Sequence, residues 1–244
     1  MHAWPYPRWI GHRGAGQLAP ENTLAAFRLG AQHGYRMFEC DAKLSADDQV
    51  FLLHDTTLER TTNGRGLASG LGWPALSQLD AGSWHSPGYA GEPLLQLASL
   101  ASWCQNNRVL LNIEIKPTPG TGRHTGEWVA REAARLWANE AVAPLLTSFS
   151  TEALVAAREA APDLPRGLLL DTLPGDWLAQ AQALACVAVV CHHSLWDLAS
   201  VHLARQAGMR CLSYTVNDTG TAQRLLGLGL DGIITDRVDL FRPD

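Results

Sequence analysis

The chain has no Cys-x-x-Cys pair, no run of like charge and no long apolar stretch. Each absence closes a class. Five cysteines (Cys40, Cys104, Cys186, Cys191, Cys211) are odd in number and sit mostly within apolar, strand-like runs. They read as buried thiols rather than a disulfide framework or a zinc ribbon. With 19 basic and 24 acidic side chains and a formal charge of −5, there is no basic footprint for a nucleic-acid groove. No segment approaches the roughly 20 apolar residues of a membrane span, and Met1 to Pro7 lacks the basic and apolar parts of a secretory signal. The expectation is a soluble, cytoplasmic protein without nucleic-acid partners.

What is present is a globular profile: 46% apolar and 18% charged, with 22 Gly and 13 Pro over 244 residues. That length suits one (β/α)₈ barrel, about 250 residues when typical. Apolar strand-like runs at 9–12, 37–42, 109–115, 145–148, 167–170, 187–191, 211–215 and 232–235 alternate with segments of helical period. Helices are expected at Asn22–His33, Glu127–Asn139, Ser150–Ala161, Pro174–Ala185, Leu195–Gln206 and Thr219–Leu228. Eight strand–helix units imply a parallel sheet closed into a TIM-type barrel, a single domain over 1–244. Residues from 55 to about 95 break the rhythm and read as an insertion after the second strand. Just before it, Val50 to Leu53 follows the turn-forming Ser45-Ala46-Asp47-Asp48. A hairpin centred between Ala46 and Asp47 would set His54 opposite Glu39.

Barrel enzymes carry their chemistry at the carboxyl ends of the strands. The first strand runs into His12-Arg13-Gly14. The second holds Glu39 and Asp41 two residues apart, hence on one face. In Asn112-Ile113-Glu114-Ile115-Lys116, polar residues occupy every second position of an apolar run. Buried like charges are costly unless a cation compensates them. Glu39, Asp41 and Glu114 offer hard oxygen ligands, suited to one divalent metal ion, Mg²⁺ or Ca²⁺, with Mn²⁺ a further option. Three carboxylates set against a divalent ion, Arg13 and Lys116 leave about +1, apt for a phosphodiester monoanion. His12 and His54 supply proton carriers for the attacking and departing oxygens. The adjacent His192 and His193 have no acid neighbour in sequence and read as structural or pocket-lining. Trp73 and Trp84, among nine tryptophans, read as core packing before an aromatic wall for a cationic head group.

Taken in order, His12-Arg13-Gly14, Pro20-Glu21-Asn22-Thr23, Glu39-x-Asp41, His54-Asp55, Asn112 to Lys116, Ser148-Phe149, Tyr214-Thr215-Val216-Asn217 and Asp231 to Asp236 resemble the glycerophosphodiester phosphodiesterase family. The match spans nearly the whole chain. It is most similar to the cytosolic bacterial members, through Trp4-Pro5-Tyr6-Pro7 and Pro165 to Asp171 as well. The resemblance implies a TIM-type barrel with an inserted subdomain at about 55–108. It also implies His12 and His54 as the acid/base pair, Glu39, Asp41 and Glu114 as metal ligands, and Arg13 and Lys116 as phosphate contacts. Glu21 and Asn22 would lie beside the site, Glu21 orienting Arg13 or a ligand, or else both would serve the helix start. The implied substrate is a small glycerophosphodiester, hydrolysed to glycerol 3-phosphate and an alcohol. A lyase releasing a cyclic phosphate and a non-catalytic phosphodiester-binding protein are the alternatives. One departure lies in the insertion, where Leu94-Leu95-Gln96 follows Pro93 in place of the family's proline and acidic pair.

Overall fold

Strict alternation of inward and outward residues builds the frame. The computed structural model describes residues 4–243. Strands β1 (Trp9–Gly11), β2 (Met37–Leu44), β4 (Leu110–Ile115), β5 (Leu145–Ser148), β6 (Arg166–Leu170), β7 (Ala188–His192), β8 (Arg210–Tyr214) and β9 (Gly232–Thr235) are all parallel to their neighbours. β9 returns to β1 and β1 meets β2 through Gly11 and Phe38, so the ring closes. β3 (Val50–Leu52) lies outside it, antiparallel on β2. The eight-stranded TIM-type barrel expected from the sequence is the observed fold.

Along β2, Phe38, Cys40, Ala42 and Leu44 join the outer core between sheet and helices, while Met37 joins the inner one. Each fully buried Phe there contributes roughly 1.5–3 kcal/mol relative to exposure. The inner core is apolar at the lower end, with Ile10, Met37, Leu145, Leu169, Val190, Leu212 and Ile234. Higher up, the inward positions turn polar: Glu39, Asp41, Lys43, Asn112 and Glu114 are all buried. One end of the barrel is thus a packed plug and the other a polar cup. All five cysteines are free and buried, and burial pushes the thiols of Cys104, Cys186, Cys191 and Cys211 up to about 12.

Helices α1 (Leu24–Gln32), α4 (Gly122–Leu136), α5 (Thr151–Ala160), α6 (Trp177–Ala183), α7 (Leu198–Gln206) and α8 (Thr219–Gly227) fall on the expected segments with shifted ends. α1 starts two residues late because Thr23, not Asn22, is its cap, accepting from the Ala26 amide. α4 begins five residues before the expected Glu127. Its first two turns, which carry Gly122 and Gly126, lie against α5, where a Cβ on Gly126 would collide with the Ala153 backbone. That close approach outweighs the poor helix propensity of glycine.

Two further helices, the four-residue α2 (Trp73–Leu76) and α3 (Leu97–Asn107), fall in the stretch read as insertion. Buried Leu97, Leu100, Ala101 and Cys104 of α3, at i, i+3, i+4 and i+7, belong to the outer core of the barrel. α3 is therefore a barrel helix leading into β4. Phe51, Leu53, Leu58, Ala68, Leu76, Ala81 and Leu94 form a separate small core. On this packing we bound the inserted segment at about Leu95 rather than 108. No helix of the described residues is long and apolar enough to cross a membrane.

Candidate active site

His12, Arg13, Glu39, Asp41, His54, Glu114 and Lys116 all arrive at the carboxyl-end mouth of the barrel, with Glu21 beside them. His12 follows β1 directly, its amide hydrogen-bonded to Thr235 at 2.9 Å. Glu39 and Asp41 stand on β2 and Glu114 on β4, with Asp41 directly beside Glu114 in register. Lys116 lies one residue past β4 and His54 two past β3. His12, Arg13, Glu39, His54, Asn112, Glu114 and Lys116 line one cavity of about 200 Å³, whose far wall carries Phe149, Leu169 and Tyr214.

The three acids converge. Ligand atoms of Glu39, Asp41 and Glu114 lie within 4.8 Å of one another, and all three residues are buried. Asn22, at a left-handed φ of 59°, donates its amide to Asp41 Oδ2 at 2.8 Å and accepts the Asp41 amide at 3.2 Å. Lys116 Nζ donates to Glu114 Oε1 at 2.7 Å and stands 3.6 Å from Asp41 Oδ1. Among the described residues, Glu39 Oε1 and Asp41 Oδ1 have no hydrogen-bond donor. Burial, then the charge of Asp41, pushes the Glu114 carboxyl up to about 7, and the same causes push Glu39 well above the usual range. Asp41 is the exception: despite its burial, Arg13 and Lys116 hold it low. Orphaned carboxylate oxygens and mutual repulsion in a buried pocket are what a hard cation would relieve, so the triad fits a metal ion.

Arg13, also at a left-handed φ (51°), turns its side chain across the acids. Its Nη1 donates to Glu21 Oε1 at 2.9 Å, and its Nε lies 3.0 Å from Asp41 Oδ2 without the alignment of a hydrogen bond. The Arg13 amide points at Glu39 Oε2 at 3.3 Å.

His12 and His54 each set Nδ1 against a carboxylate, which leaves Nε2 as the ring nitrogen that carboxylate does not occupy. His12 Nδ1 is 2.6 Å from Asp236 Oδ1, with its Nε2 turned toward Glu39 at 3.8 Å. Asp236 is fixed in turn by the Asn217 amide at 2.9 Å, and its pKa is lowered because these partners outweigh its burial. Gly16 permits the close packing here, since a Cβ on it would strike the Asp236 backbone. His54 Nδ1 is 2.7 Å from Asp55 Oδ1. Arg60 holds the Asp55 carboxyl down to about 2, while burial keeps His54 below the ordinary histidine value against the pull of Asp41.

The expected pairing of His54 with Glu39 does not occur. Ala42, Lys43 and Leu44 pair with Leu52, Phe51 and Val50, one residue out of the anticipated register. The turn has three residues between Ser45 and Gln49, closed by Ser45 N to Gln49 O at 3.0 Å, with Asp48 at φ 58°. A three-residue hairpin loop with a left-handed third residue replaces the two-residue turn. His54 reaches the cavity from beyond the end of β3 instead.

Asp55, Asp236 and Asn217 had no role in the sequence reading beyond their place in motifs, and Arg60 had none at all. Asp55 carried a signal, being adjacent to His54; Asp236 is remote from His12 in sequence and carried none. His192 and His193 sit with ring centroids 4.2 Å apart, and His192 is edge-on to Tyr214 of the cavity wall. Trp73 packs near Phe51 in the small core, whereas Trp84 is 41% exposed and lines a second cavity of about 340 Å³ with His12, Glu21, Arg60 and His85.

Comparison with known proteins identifies the family. Residues 12–240 match the model of the glycerophosphoryl diester phosphodiesterase family. A glycerophosphodiester phosphodiesterase of Caldanaerobacter subterraneus is 31% identical over 232 residues, 93% of both chains. The structure of an Oleispira antarctica phosphodiesterase in complex with the product sn-glycerol-3-phosphate is 33% identical with a TM-score of 0.88, covering 94% of this chain and 93% of that one. A glycerophosphodiester phosphodiesterase from Agrobacterium tumefaciens is 26% identical with a TM-score of 0.82, over 97% and 99% of the two chains. The chain belongs to the glycerophosphoryl diester phosphodiesterase family of enzymes.

Proposed function

We propose that this enzyme hydrolyses glycerophosphodiesters to sn-glycerol 3-phosphate and an alcohol, with Glu39, Asp41 and Glu114 holding one divalent cation and His12 and His54 exchanging the protons. The observation that carries the reading is the convergence of three buried acids within 4.8 Å, two of them with an oxygen lacking any donor, in a cavity that both imidazoles line. The glycerol 3-phosphate complex of the Oleispira relative supports the product assignment.

A cation held there supplies charge neutralisation and polarisation at the phosphoryl oxygens. The chain's own residues do the rest. Arg13 and Lys116 face the phosphodiester with fixed positive charge, which counts for more in a partly desolvated cup than in water. The buried amide nitrogen of Asn112, which has no acceptor, offers one further donor. One imidazole takes the proton of an attacking water and the other delivers one to the departing alkoxide, in line across phosphorus. Asp236 and Asp55 fix the tautomers and orient Nε2 in both cases. Phe149, Leu169 and Tyr214 give the substrate's carbon skeleton an apolar wall.

A coupled assay for glycerol 3-phosphate released from glycerophosphocholine tests the reading directly. Turnover that stops in excess EDTA and returns with Mg²⁺, Ca²⁺ or Mn²⁺ is the expected result; full activity in EDTA with no metal by elemental analysis refutes the metal centre. A cyclic phosphate in the ³¹P spectrum, with no glycerol 3-phosphate, would replace hydrolysis by the lyase reaction.

A further inference from the structure

We infer that Arg60 is a positioning residue for this reaction, clasping the inserted segment to the barrel so that His54 and Arg13 enter the cavity as one assembly. The inference rests on the hydrolase reading and assigns a role to a side chain that the mechanism above does not use. Arg60 Nη2 donates both to Asp55 Oδ1 at 3.0 Å and to Glu21 Oε1 at 2.8 Å. Those are the same two oxygens that hold His54 Nδ1 at 2.7 Å and Arg13 Nη1 at 2.9 Å. Arg60 Nε reaches Asp55 Oδ2 at 2.6 Å and Nη1 reaches Glu21 Oε2 at 2.8 Å, so both carboxylates are gripped with two contacts each.

The arrangement joins two parts of the chain that no strand pairing connects. His54 and Asp55 lead into the inserted segment, whereas Arg13 and Glu21 belong to the turn between β1 and α1. With Arg60 removed, two carboxylates that now share one nitrogen would face each other with only Arg13 on one and the His54 ring on the other, and their repulsion would loosen the placement of the side chains they hold. A planar guanidinium can satisfy two carboxylates edge-on, and a lysine ammonium cannot. The Arg60 side chain is 44% exposed. Solvent therefore screens the ion pairs, and the clasp adds little to global stability. Its effect falls on the placement of reacting groups, where an error of about 1 Å costs on the order of 10²-fold.

The test measures kcat and KM for glycerophosphocholine with Arg60→Ala, Arg60→Lys, and Arg60→Ala in the Asp55→Ala/Glu21→Ala background. Arg60→Ala is expected to lower kcat by about 10²-fold, with millimolar guanidinium ion restoring it saturably. In the background lacking both carboxylates, Arg60→Ala is expected to change kcat by less than about 3-fold, near the limit of simple additivity. A kcat for Arg60→Ala near the wild-type value, or its full loss persisting in that background, overturns the inference. Should Arg60→Ala fail to fold, Arg60→Lys decides: a wild-type kcat refutes the clasp, and a loss of at least about 10-fold supports it. A wild-type enzyme that turns over no glycerophosphodiester refutes the parent reading instead. The clasp is then read by amide exchange at residues 55–62, where faster exchange in Arg60→Lys supports it and unchanged exchange refutes it.

Discussion

Replacing Glu39 by glutamine should make the metal-free protein more stable while abolishing its response to metal. Glu39 is 3% exposed, carries an oxygen without a donor, and faces Asp41 and Glu114. Burial and these neighbours push its pKa well above the ordinary carboxylate range. An acid whose folded pKa is raised opposes folding once the pH exceeds its unfolded pKa, because the folded state then resists losing the proton. Glutamine keeps the volume and the acceptor for the Arg13 amide but removes that conflict. Relief of this kind is worth about 1–2 kcal/mol, and a chain of this size shifts its midpoint by roughly 2–4 °C per kcal/mol, so the midpoint in EDTA at neutral pH should rise by several degrees. The gain should shrink as the pH falls through the carboxylate range and vanish where Glu39 is protonated in both states. With a divalent cation at about 100 times its Kd, the wild type should gain about 2.7 kcal/mol, and Glu39→Gln should gain far less and turn over no substrate. Scanning calorimetry with EDTA and with metal reads both effects. A midpoint for Glu39→Gln in EDTA below that of the wild type, or a metal-induced shift as large, would refute the account of the triad as a strained site that a cation relieves.

Alanine at His12 or at His54 should lower kcat by roughly 10²–10⁴-fold with an unchanged far-ultraviolet dichroism spectrum; a variant turning over at the wild-type rate removes that histidine from the acid/base pair. Gly126→Val should cost about 1–3 kcal/mol by forcing α4 off the Ala153 backbone, seen as a lower melting midpoint with kcat at low temperature intact; an unchanged midpoint would show the contact to be slack. Asp80 accepts from the amides of Gly82, Ser83 and Gly91 and from the Ser83 hydroxyl, which hold its carboxyl well below the usual range. That depressed pKa gives stability above the unfolded value that is lost as the pH falls through the folded one. Asp80→Asn should therefore speed exchange of the Gly82 and Gly91 amides at neutral pH, by a margin that closes in strong acid; equal rates at neutral pH would discount the loop anchor.

The sequence by itself determined the barrel and the direction in which its chemistry points. Alternation along Met37–Leu44 and Leu110–Ile115 has period two, so Glu39 and Asp41 had to share one face of their strand, and Asn112 and Glu114 one face of theirs. The same reasoning reached the free cysteines of the outer core, and the 3.6-residue period located six of the barrel helices. It passed over α3, whose Leu97, Leu100, Ala101 and Cys104 carried that period all along: the irregular stretch ended near residue 95, and the resemblance to the family carried the insertion on to about 108. Only tertiary structure decided the rest. The hairpin register depended on Asp48 adopting a left-handed conformation, a turn choice that residue types permit and do not dictate. The partners of the catalytic candidates, Asp236 on His12 and Arg60 between Asp55 and Glu21, come from chain segments that meet only when the ring closes and the inserted segment folds back over it. Periodicity tells which face a residue takes; which remote residue stands opposite follows from closure and packing, and there the tautomer of each imidazole and the aim of each guanidinium are set.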